Sequence, residues 1–222
     1  MSEHASDLLV LYGGTFDPVH EGHLSIARAT RDALATTVHF MPANDPPHRA
    51  APGANALHRA RMLDIAIAGE PGLVVDRREL SRDGRSYSID TLRALRADIG
   101  AQRPVALLLG ADSFLSLPTW KAWEALFDLA HLIVAERPGS GIDEAMAPEL
   151  AQIAVPRMAN DAGALLATPA GCIWRLRQPL VDASASEVRA RIANGGAWMQ
   201  LVPSPVAAYI ARHRLYAGGG AA

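Results

Sequence analysis

The chain has 222 residues, 50% of them apolar and 20% charged, and its formal net charge is −2 at pH 7. These values are typical of a globular protein, and the lack of excess positive charge argues against binding to duplex nucleic acid. The one cysteine, Cys172, excludes an internal disulfide, and no apolar run approaches the roughly 20 residues that span a bilayer. We therefore expect a cytoplasmic protein with no membrane or nucleic-acid partner. The sequence leaves open whether the chain forms a homo-oligomer.

Apolar runs alternate with amphipathic stretches along the chain. The predicted strands are residues 8–12, 37–41, 73–75, 105–109, 131–135 and 173–176. The predicted helices are residues 24–34, 56–68, 89–99, 120–129 and 186–192. Alternation of this kind requires crossover connections, so it predicts a Rossmann-like, doubly wound α/β fold with a mainly parallel sheet and helices on both faces. Ligands of such sheets bind beyond the carboxyl ends of the strands.

Capping residues and glycines mark the expected helix ends. Asn55 is the expected N-cap of the second predicted helix, and Ser88 is the expected N-cap of the third. Gly69 and Gly100 follow the same two helices and are expected to end them, because glycine adopts the left-handed conformation found just past many helices.

The chain shows no internal repeat and no linker, so we expect a single domain over residues 1–222. Residues 137–171 are the least regular, with several prolines and glycines. They are expected to form a surface excursion with a short helix near residues 143–153. The small residues at 217–222 are expected to fray.

The most informative segment connects the first predicted strand to the first predicted helix. It reads Gly13-Gly14-Thr15-Phe16-Asp17-Pro18-Val19-His20-Glu21-Gly22-His23. Its first glycines allow backbone N–H groups to approach a ligand closely, and the following helix directs its positive end at the same point, which favours a phosphate. The two histidines would lie beside that phosphate. The pattern is neither the dinucleotide-binding fingerprint nor a Walker P-loop.

Residues of this segment also have structural interpretations. A histidine at a helix start, such as His20 or His23, can cap the helix or be solvated. Asp17 could orient an imidazole, lie near a metal ion or stabilise the turn, since Asp followed by Pro is common in turns. From the residues alone, these alternatives stay open.

The segment resembles the nucleotidyltransferase signature that ends in His-x-Gly-His, and it is most similar to the form found in bacterial nicotinate-nucleotide adenylyltransferases. Further segments resemble the motifs of that family in the expected order. They are residues 42–49, 86–88, 110–113, 118–120, 131–134 and 184–189. The resemblance spans roughly residues 8–216. The first motif is typical of the superfamily, and the ordered set is typical of the family.

The resemblance implies a reaction and its participants. The chain would transfer the adenylyl group of ATP to nicotinate mononucleotide, giving nicotinate adenine dinucleotide and pyrophosphate in NAD biosynthesis. ATP and nicotinate mononucleotide would be its small-molecule substrates, and Mg²⁺ its cofactor. The metal ligands are not identified by the sequence.

The resemblance also implies three groups of site residues. The catalytic residues would be His20, His23 and Arg189. The ATP-binding residues would be Gly13, Gly14, Thr15, Phe16, His20, His23, Gly110, Asp112, Arg137, Ser184, Ser186 and Arg189. The residues that bind nicotinate mononucleotide would be Asn44, His48, Arg49, Ser88, Trp120 and Lys121.

Some of these residues have alternative roles. Asp112 follows a predicted strand, where its carboxylate could accept a hydrogen bond from a ribose hydroxyl, cap a helix over residues 113–117, or do both. Ser186 is expected to cap the helix that carries Arg189. The guanidinium of Arg189 could grip the β- and γ-phosphates or be solvated. Arg191, two residues further on, should face elsewhere.

Three positions depart from the family pattern. Lys121 stands where an aromatic residue is expected, and Ser186 stands where threonine is more usual. Glu136 stands where a second basic residue is expected, which leaves the phosphate role of Arg137 open. Lysine at position 121 is compatible with a role of its backbone N–H.

Two other functions compete with this interpretation. One is the adenylylation of phosphopantetheine, against which Trp120 and the segment around Ser88 argue. The other is a catalytically silent nucleotide sensor, against which the intact His20, His23 and Arg189 argue.

Overall fold

A computed structural model describes residues 7–44, 53–82, 84–136, 140–177, 181 and 183–217. The described residues form six strands in one sheet. They are β1 (Leu9–Gly14), β2 (Val38–Pro42), β3 (Leu73–Val75), β4 (Val105–Gly110), β5 (His131–Glu136) and β6 (Ile173–Arg177). Neighbouring strands are all parallel, in the order β3-β2-β1-β4-β5-β6. This arrangement confirms the predicted Rossmann-like α/β fold.

Helices connect the strands. The α-helices are α1 (Glu21–Leu34), α2 (Ala56–Ala66), α3 (Ser88–Ile99), α4 (Ala111–Leu115), α5 (Ile142–Ala145), α6 (Pro148–Ala154), α7 (Ala164–Ala167), α8 (Ala185–Ala193) and α9 (Ser204–Arg212). Short 3₁₀ segments cover Leu117–Thr119, Trp123–Asp128, Val155–Arg157 and Met199–Leu201. Within the described ranges, no helix is both long enough and apolar enough to cross a membrane.

The sheet is buried on both faces, because successive residues of its central strands enter two different hydrophobic clusters. Val10 and Leu108 pack in one cluster with residues of α1, α2, α8 and α9. Leu11 and Leu107 pack in the other with residues of α3. Each such side chain contributes about 1.5–3 kcal/mol when fully buried, so continuous apolar strands are stable here, as expected for a parallel sheet covered on both sides.

The predicted helix over residues 120–129 is wrong. Trp120 has an extended backbone (φ −83°, ψ 147°) that ends the Leu117–Thr119 turn. Ala122 then adopts a left-handed conformation with φ 49° before the 3₁₀ segment Trp123–Asp128. The left-handed residue interrupts the helical path, so the apolar spacing that predicted an α-helix instead supports a shorter 3₁₀ segment.

Three predicted caps are also wrong. Helix α3 begins one residue earlier than predicted, with Tyr87 as its N-cap, so Ser88 is its first helical residue. Helix α8 is capped by Ser184, which accepts a hydrogen bond from the Glu187 backbone N–H (3.1 Å), and Ser186 lies inside the helix. The N-cap of α4 is Gly110, so Asp112 lies in its first turn.

Two other predicted helix ends, at Asn55 and Gly100, are confirmed, whereas Gly69 does not end α2. The Asn55 side chain accepts a hydrogen bond from the His58 N–H (2.9 Å) at the start of α2. That helix ends at Ala66, two residues before the predicted end at residue 68. Gly100 follows α3 with a φ of 83°, which suits glycine.

The irregular segment contains more structure than the one short helix predicted near residues 143–153. Helices α5 and α6 lie there, and α7 follows before β6. Ile142, Leu150 and Leu165 in these helices are almost completely buried. Part of the segment therefore belongs to the hydrophobic core. The predicted fraying beyond residue 217 lies outside the described residues.

Candidate active site

A cavity of about 780 Å³ opens at the carboxyl ends of β1 and β4. These strands are neighbours in the sheet, and the chain leaves them towards opposite sides, so the cavity lies at the switch point of the fold. Its lining includes the predicted site residues Gly13, Gly14, Thr15, Phe16, His20, His23, Ser88, Gly110, Asp112, Trp120, Lys121, Ser184, Ser186 and Arg189. The fold thus brings together residues that are up to 176 positions apart in the sequence, from Gly13 to Arg189.

Among the residues that the structure describes, Asn44 is the predicted site residue that is not part of this lining. Its backbone N–H donates to Ser86 Oγ (3.0 Å), and Ser86 does line the cavity. Its side-chain amide donates to the Arg82 carbonyl (3.1 Å). His48, Arg49 and Arg137 lie outside the described residues.

The two signature histidines lie at the start of α1. His20 is the N-cap, with an extended backbone, so the helix begins three residues before the predicted start at residue 24. The His20 backbone N–H donates to Nδ1 of His23 (3.3 Å), which leaves Nε2 of a neutral His23 as a donor. The two rings lie 3.7 Å apart between centroids, at an angle of 32°. Both imidazoles therefore form one edge of the cavity.

Glycines in the signature make room for these rings. A Cβ at Gly22 would lie 3.0 Å from the His20 ring and 3.2 Å from the Ala183 carbonyl oxygen. A Cβ at Gly14 would lie 2.9 Å from the Phe16 ring, which in turn packs edge-on against the His23 ring with centroids 5.0 Å apart. A side chain at Gly14 would displace the Phe16 ring, which packs against His23. A side chain at Gly22 would crowd the His20 ring itself.

Asp17 is a buried structural residue. Its carboxylate accepts hydrogen bonds from the backbone N–H groups of Gly53 (2.8 Å) and Ala54 (3.0 Å), and from the Tyr216 hydroxyl (2.7 Å). Burial and then the nearby Asp17 carboxylate raise the pKa of the Tyr216 hydroxyl, which therefore remains a donor. These contacts support the turn-stabilising alternative for Asp17.

Arg59 is a residue that the sequence prediction missed. Its side chain is completely buried, and its guanidinium donates to the carbonyl oxygens of Thr15 (2.7 Å), Asn44 (3.1 Å) and Ala54 (3.1 Å). Burial lowers the pKa of Arg59, and the Asp17 charge opposes that shift. One cation thus joins three loops that surround the cavity, and its position on the apolar face of α2 was the one available sequence signal.

Arg189 projects from the first turns of α8. Its Nη1 donates to the Asp17 carbonyl oxygen (2.6 Å) and lies 3.7 Å from the Asp17 carboxylate. Its side chain keeps 36% of its exposed area, so part of the guanidinium is accessible from the cavity. Arg191 instead pairs with Glu187 on the same helix (2.5 Å), which confirms that it faces elsewhere.

The opposite wall is built from the start of α3 and the Trp120–Lys121 segment. Lys121 Nζ lies 2.8 Å from an Asp90 carboxylate oxygen in the first turn of α3 and 4.6 Å from the centre of the Tyr87 ring. The lysine therefore joins the segment after Trp120 to the helix start. Sequence reasoning did not single out Glu79, which also lines this wall.

Comparison with known proteins identifies the family. A family model described as cytidylyltransferase-like matches residues 11–191. A probable nicotinate-nucleotide adenylyltransferase from Stenotrophomonas maltophilia is 56% identical, over 94% of this chain and 96% of that protein. One from Xylella fastidiosa is 45% identical over the same shares, and one from Marinobacter nauticus is 42% identical over 93% and 95%.

Solved structures agree on the fold. The nicotinic acid mononucleotide adenylyltransferase of Plasmodium falciparum, complexed with NaAD, superposes with a TM-score of 0.71. The match covers 94% of this chain and 97% of that one, at 17% sequence identity. A putative nicotinate-nucleotide adenylyltransferase from Vibrio parahaemolyticus gives a TM-score of 0.60 at 12% identity, over 91% and 98%. At such low identity, these matches establish the shared architecture alone.

Proposed function

The chain belongs to the nicotinate-nucleotide adenylyltransferase family, and we propose that the cavity described above is where it transfers the adenylyl group of ATP to nicotinate mononucleotide. The observation that carries this proposal is that His20, His23 and Arg189 line the same cavity as Trp120 and the start of α3. Cationic and hydrogen-bonding groups at one end suit a triphosphate, and an aromatic ring at the other suits a pyridine.

The reaction requires alignment more than acid–base chemistry. An oxygen of the acceptor phosphate attacks the α-phosphorus of ATP, the bond from that phosphorus to the bridging oxygen breaks, and pyrophosphate leaves with the electron pair. The attacking phosphate is already an anion near neutral pH, so no strong general base is needed. The protein must bring two anions together and offset the charge that builds on the phosphorus.

The signature end supplies donors for that charge. We assign His20 and His23 as donors to the reacting phosphate oxygens, with Gly13 and Gly14 allowing close approach of the backbone. Arg189 would hold the β- and γ-phosphates, because a guanidinium can meet two oxygens at once. The free N–H groups at the start of α8, near Ser184 and Ser186, add a positive helix end.

The adenosine and the acceptor occupy the rest of the cavity in this proposal. Asp112 and Gly110, at the end of β4, lie where a ribose hydroxyl can be bound. Trp120 stacks on the pyridine ring, and backbone N–H groups at Ser88 and Lys121 meet its carboxylate.

Thr15 and Phe16 complete the part of the cavity that binds ATP. Asn44 acts indirectly, through its hydrogen bond to the lining residue Ser86. The predicted phosphate contacts of His48, Arg49 and Arg137 stay predictions, because these residues lie outside the described ones.

Magnesium enters this scheme with ATP. Among the residues that the structure describes, no three or more His, Cys, Asp or Glu side chains are grouped to hold a metal ion. Mg²⁺ commonly keeps several waters and binds through substrate phosphates with one or two carboxylates. We therefore propose that Mg²⁺ would be carried by the triphosphate and would offset phosphate charge, and that Asp112, one of the carboxylates lining the cavity, would be available to it. We place the reaction in the cytoplasm, which a single cysteine supports.

The proposal is tested with purified protein, ATP and Mg²⁺, offering one acceptor at a time. Nicotinate mononucleotide, nicotinamide mononucleotide and phosphopantetheine are the acceptors, and pyrophosphate release and product mass are measured. Nicotinate adenine dinucleotide with stoichiometric pyrophosphate is expected. Turnover of phosphopantetheine instead, or ATP binding without release of pyrophosphate from any acceptor, would contradict the proposal.

A further inference from the structure

One buried charge on the acceptor wall has no part in the chemistry above. Glu79 follows β3 and keeps only 4% of its exposed area, yet it lines the cavity. Burial raises the pKa of its carboxyl group, and hydrogen bonds from Thr91 and Ser86 oppose that shift. A buried carboxylate is costly unless it is hydrogen-bonded and paired, so its retention beside a ligand cavity calls for a role.

The first set of contacts joins Glu79 to α3. Thr91 Oγ1, in the first turn of that helix, donates to Glu79 Oε1 (2.7 Å). Arg82 Nη2 donates to the same Thr91 oxygen (2.5 Å) and lies 3.9 Å from Glu79 Oε1. The carboxylate is therefore fixed to the helix by a hydroxyl and partly neutralised by a guanidinium.

The second set joins Glu79 to the loop after β2. Ser86 Oγ accepts the Asn44 backbone N–H (3.0 Å). The Ser86 hydroxyl also interacts with Glu79 and lowers the pKa of that carboxyl group. The Asn44 side chain donates to the Arg82 carbonyl (3.1 Å) and closes the network. The Glu79 carboxylate is thus tied directly to α3, and through Ser86 and Arg82 it is tied to Asn44 in the loop after β2.

We propose that Glu79 is a positioning residue for acceptor specificity: it fixes the start of α3 so that the backbone donors at Ser88 face the carboxylate of nicotinate mononucleotide. The inference rests on the proposed function. None of the four network residues, Asn44, Arg82, Ser86 and Thr91, belongs to the signature or to α8. Arg59 joins Asn44 to Thr15 through backbone carbonyl oxygens that a change at Glu79 leaves in place, so KM for ATP should change little. The discrimination between an acid and an amide depends on the donors being held in place, because a mobile donor can adapt to either group.

Glu79→Ala removes the carboxylate that interacts with the hydroxyl groups of Thr91 and Ser86. We expect KM for nicotinate mononucleotide to rise about tenfold, as for the loss of a buried hydrogen-bonding partner, with KM for ATP within about twofold of the wild type. The kcat/KM preference for nicotinate over nicotinamide should fall by a similar factor. Glu79→Gln keeps an oxygen acceptor and should restore part of the preference.

Two further variants keep the test independent of a folding defect. Thr91→Val removes one donor while keeping the shape of the side chain, and should lower the preference in the same direction. Glu149→Ala removes an exposed glutamate from α6 and is the matched control. Unfolding midpoints are recorded for all variants.

The outcomes separate two failures. If the wild type uses neither pyridine mononucleotide, the proposed function itself fails. If the wild type prefers nicotinate but the folded Glu79 and Thr91 variants keep the full preference, or lose ATP and acceptor affinity equally, the positioning role is overturned and the proposed function stands.

Discussion

The two ends of the cavity are built in different ways. The histidine pair of the signature end is local: His20 and His23 are three residues apart, touch each other and lie at the start of one helix. The acceptor wall is assembled from the turn around Glu79, the start of α3 and the Trp120–Lys121 segment, and Asn44 is bonded to it through Ser86. We infer that the histidine pair is encoded by one short motif, whereas the placement of Arg189 and the choice of acceptor depend on tertiary contacts.

The largest effects should follow changes at the signature end. His20→Ala and His23→Ala are each expected to lower kcat by about 100-fold or more, since loss of one transition-state donor costs about 3 kcal/mol. Unfolding free energy should change far less. His213→Ala, an exposed histidine after α9, is the control in the same steady-state assay. Near-normal turnover in a folded His20 or His23 variant would contradict the catalytic assignment.

Substitution of Arg189 tests the signature end through its effect on the use of ATP. Arg189→Ala should raise KM for ATP and lower kcat, by about tenfold or more in kcat/KM, because a two-pronged phosphate contact is lost. Arg189→Lys should restore only part of the loss. Arg191→Ala is a close control, because that guanidinium pairs with Glu187 on the same helix. ATP kinetics that are unchanged in Arg189→Ala would show that the residue is merely solvated.

Substitution of Trp120 tests acceptor binding separately from the choice between the two acceptors. A stacked ring contacts nicotinate and nicotinamide alike, so Trp120→Ala should weaken both acceptors by about tenfold, within the 1–3 kcal/mol typical of stacking on a base. The nicotinate preference should largely persist, in contrast to the Glu79 variants. Steady-state kinetics with both acceptors measure this. A selective loss of nicotinate would move the discriminating contact to Trp120.

Substitution of His131 is expected to have the smallest effect, and the effect is on stability, in contrast to the signature histidines. It is buried in β5, where Nδ1 accepts the Cys172 N–H (3.0 Å) and Nε2 donates to the Thr168 carbonyl (2.8 Å). Burial is the main cause that lowers its pKa below the ordinary value of 6.5. The neutral ring is therefore favoured in the folded state, and its stabilisation is present above pH 6.5 and lost as the pH falls through the folded-state pKa.

Denaturant unfolding from pH 7.5 to 5 should show this loss as a fall in the free energy of unfolding. His131→Asn should be less stable at high pH and show a weaker pH dependence. His39 has a pKa lowered by the same cause, so the wild-type-minus-variant difference is the quantity to compare. An unchanged slope in the variant would assign the pH dependence to other groups.

The sequence predicted the strands, their parallel pairing and the signature end, because apolar runs and the His-x-Gly-His pattern are local signals. It failed where two residues compete for one structural role. Ser184 and Ser186 both stand at the start of α8, and only the extended backbone of Ser184 (φ −135°, ψ 148°) allows its side chain to cap the helix. A single-residue error of this kind does not change which residues line the cavity.

The supporting contacts could not be predicted, because no local pattern in the sequence marks their partners. Arg59 binds carbonyl oxygens of Thr15 and Asn44, and a carbonyl oxygen carries no sequence signature. Glu79 and Thr91 meet only after β3 and α3 have packed together. Such contacts have to be found in the folded structure, and they are where this account of specificity is most open to experiment.

The most direct test of the account is a competition between acceptors. Wild-type protein is given ATP, Mg²⁺ and equal concentrations of nicotinate and nicotinamide mononucleotides, and the two dinucleotide products are quantified by mass spectrometry at early times. Donors at the start of α3 match both oxygens of a carboxylate and leave one donor unpaired against an amide. The acid product should therefore exceed the amide product by at least about tenfold, which corresponds to 1.4 kcal/mol. Equal amounts of the two products would contradict the proposed acceptor site.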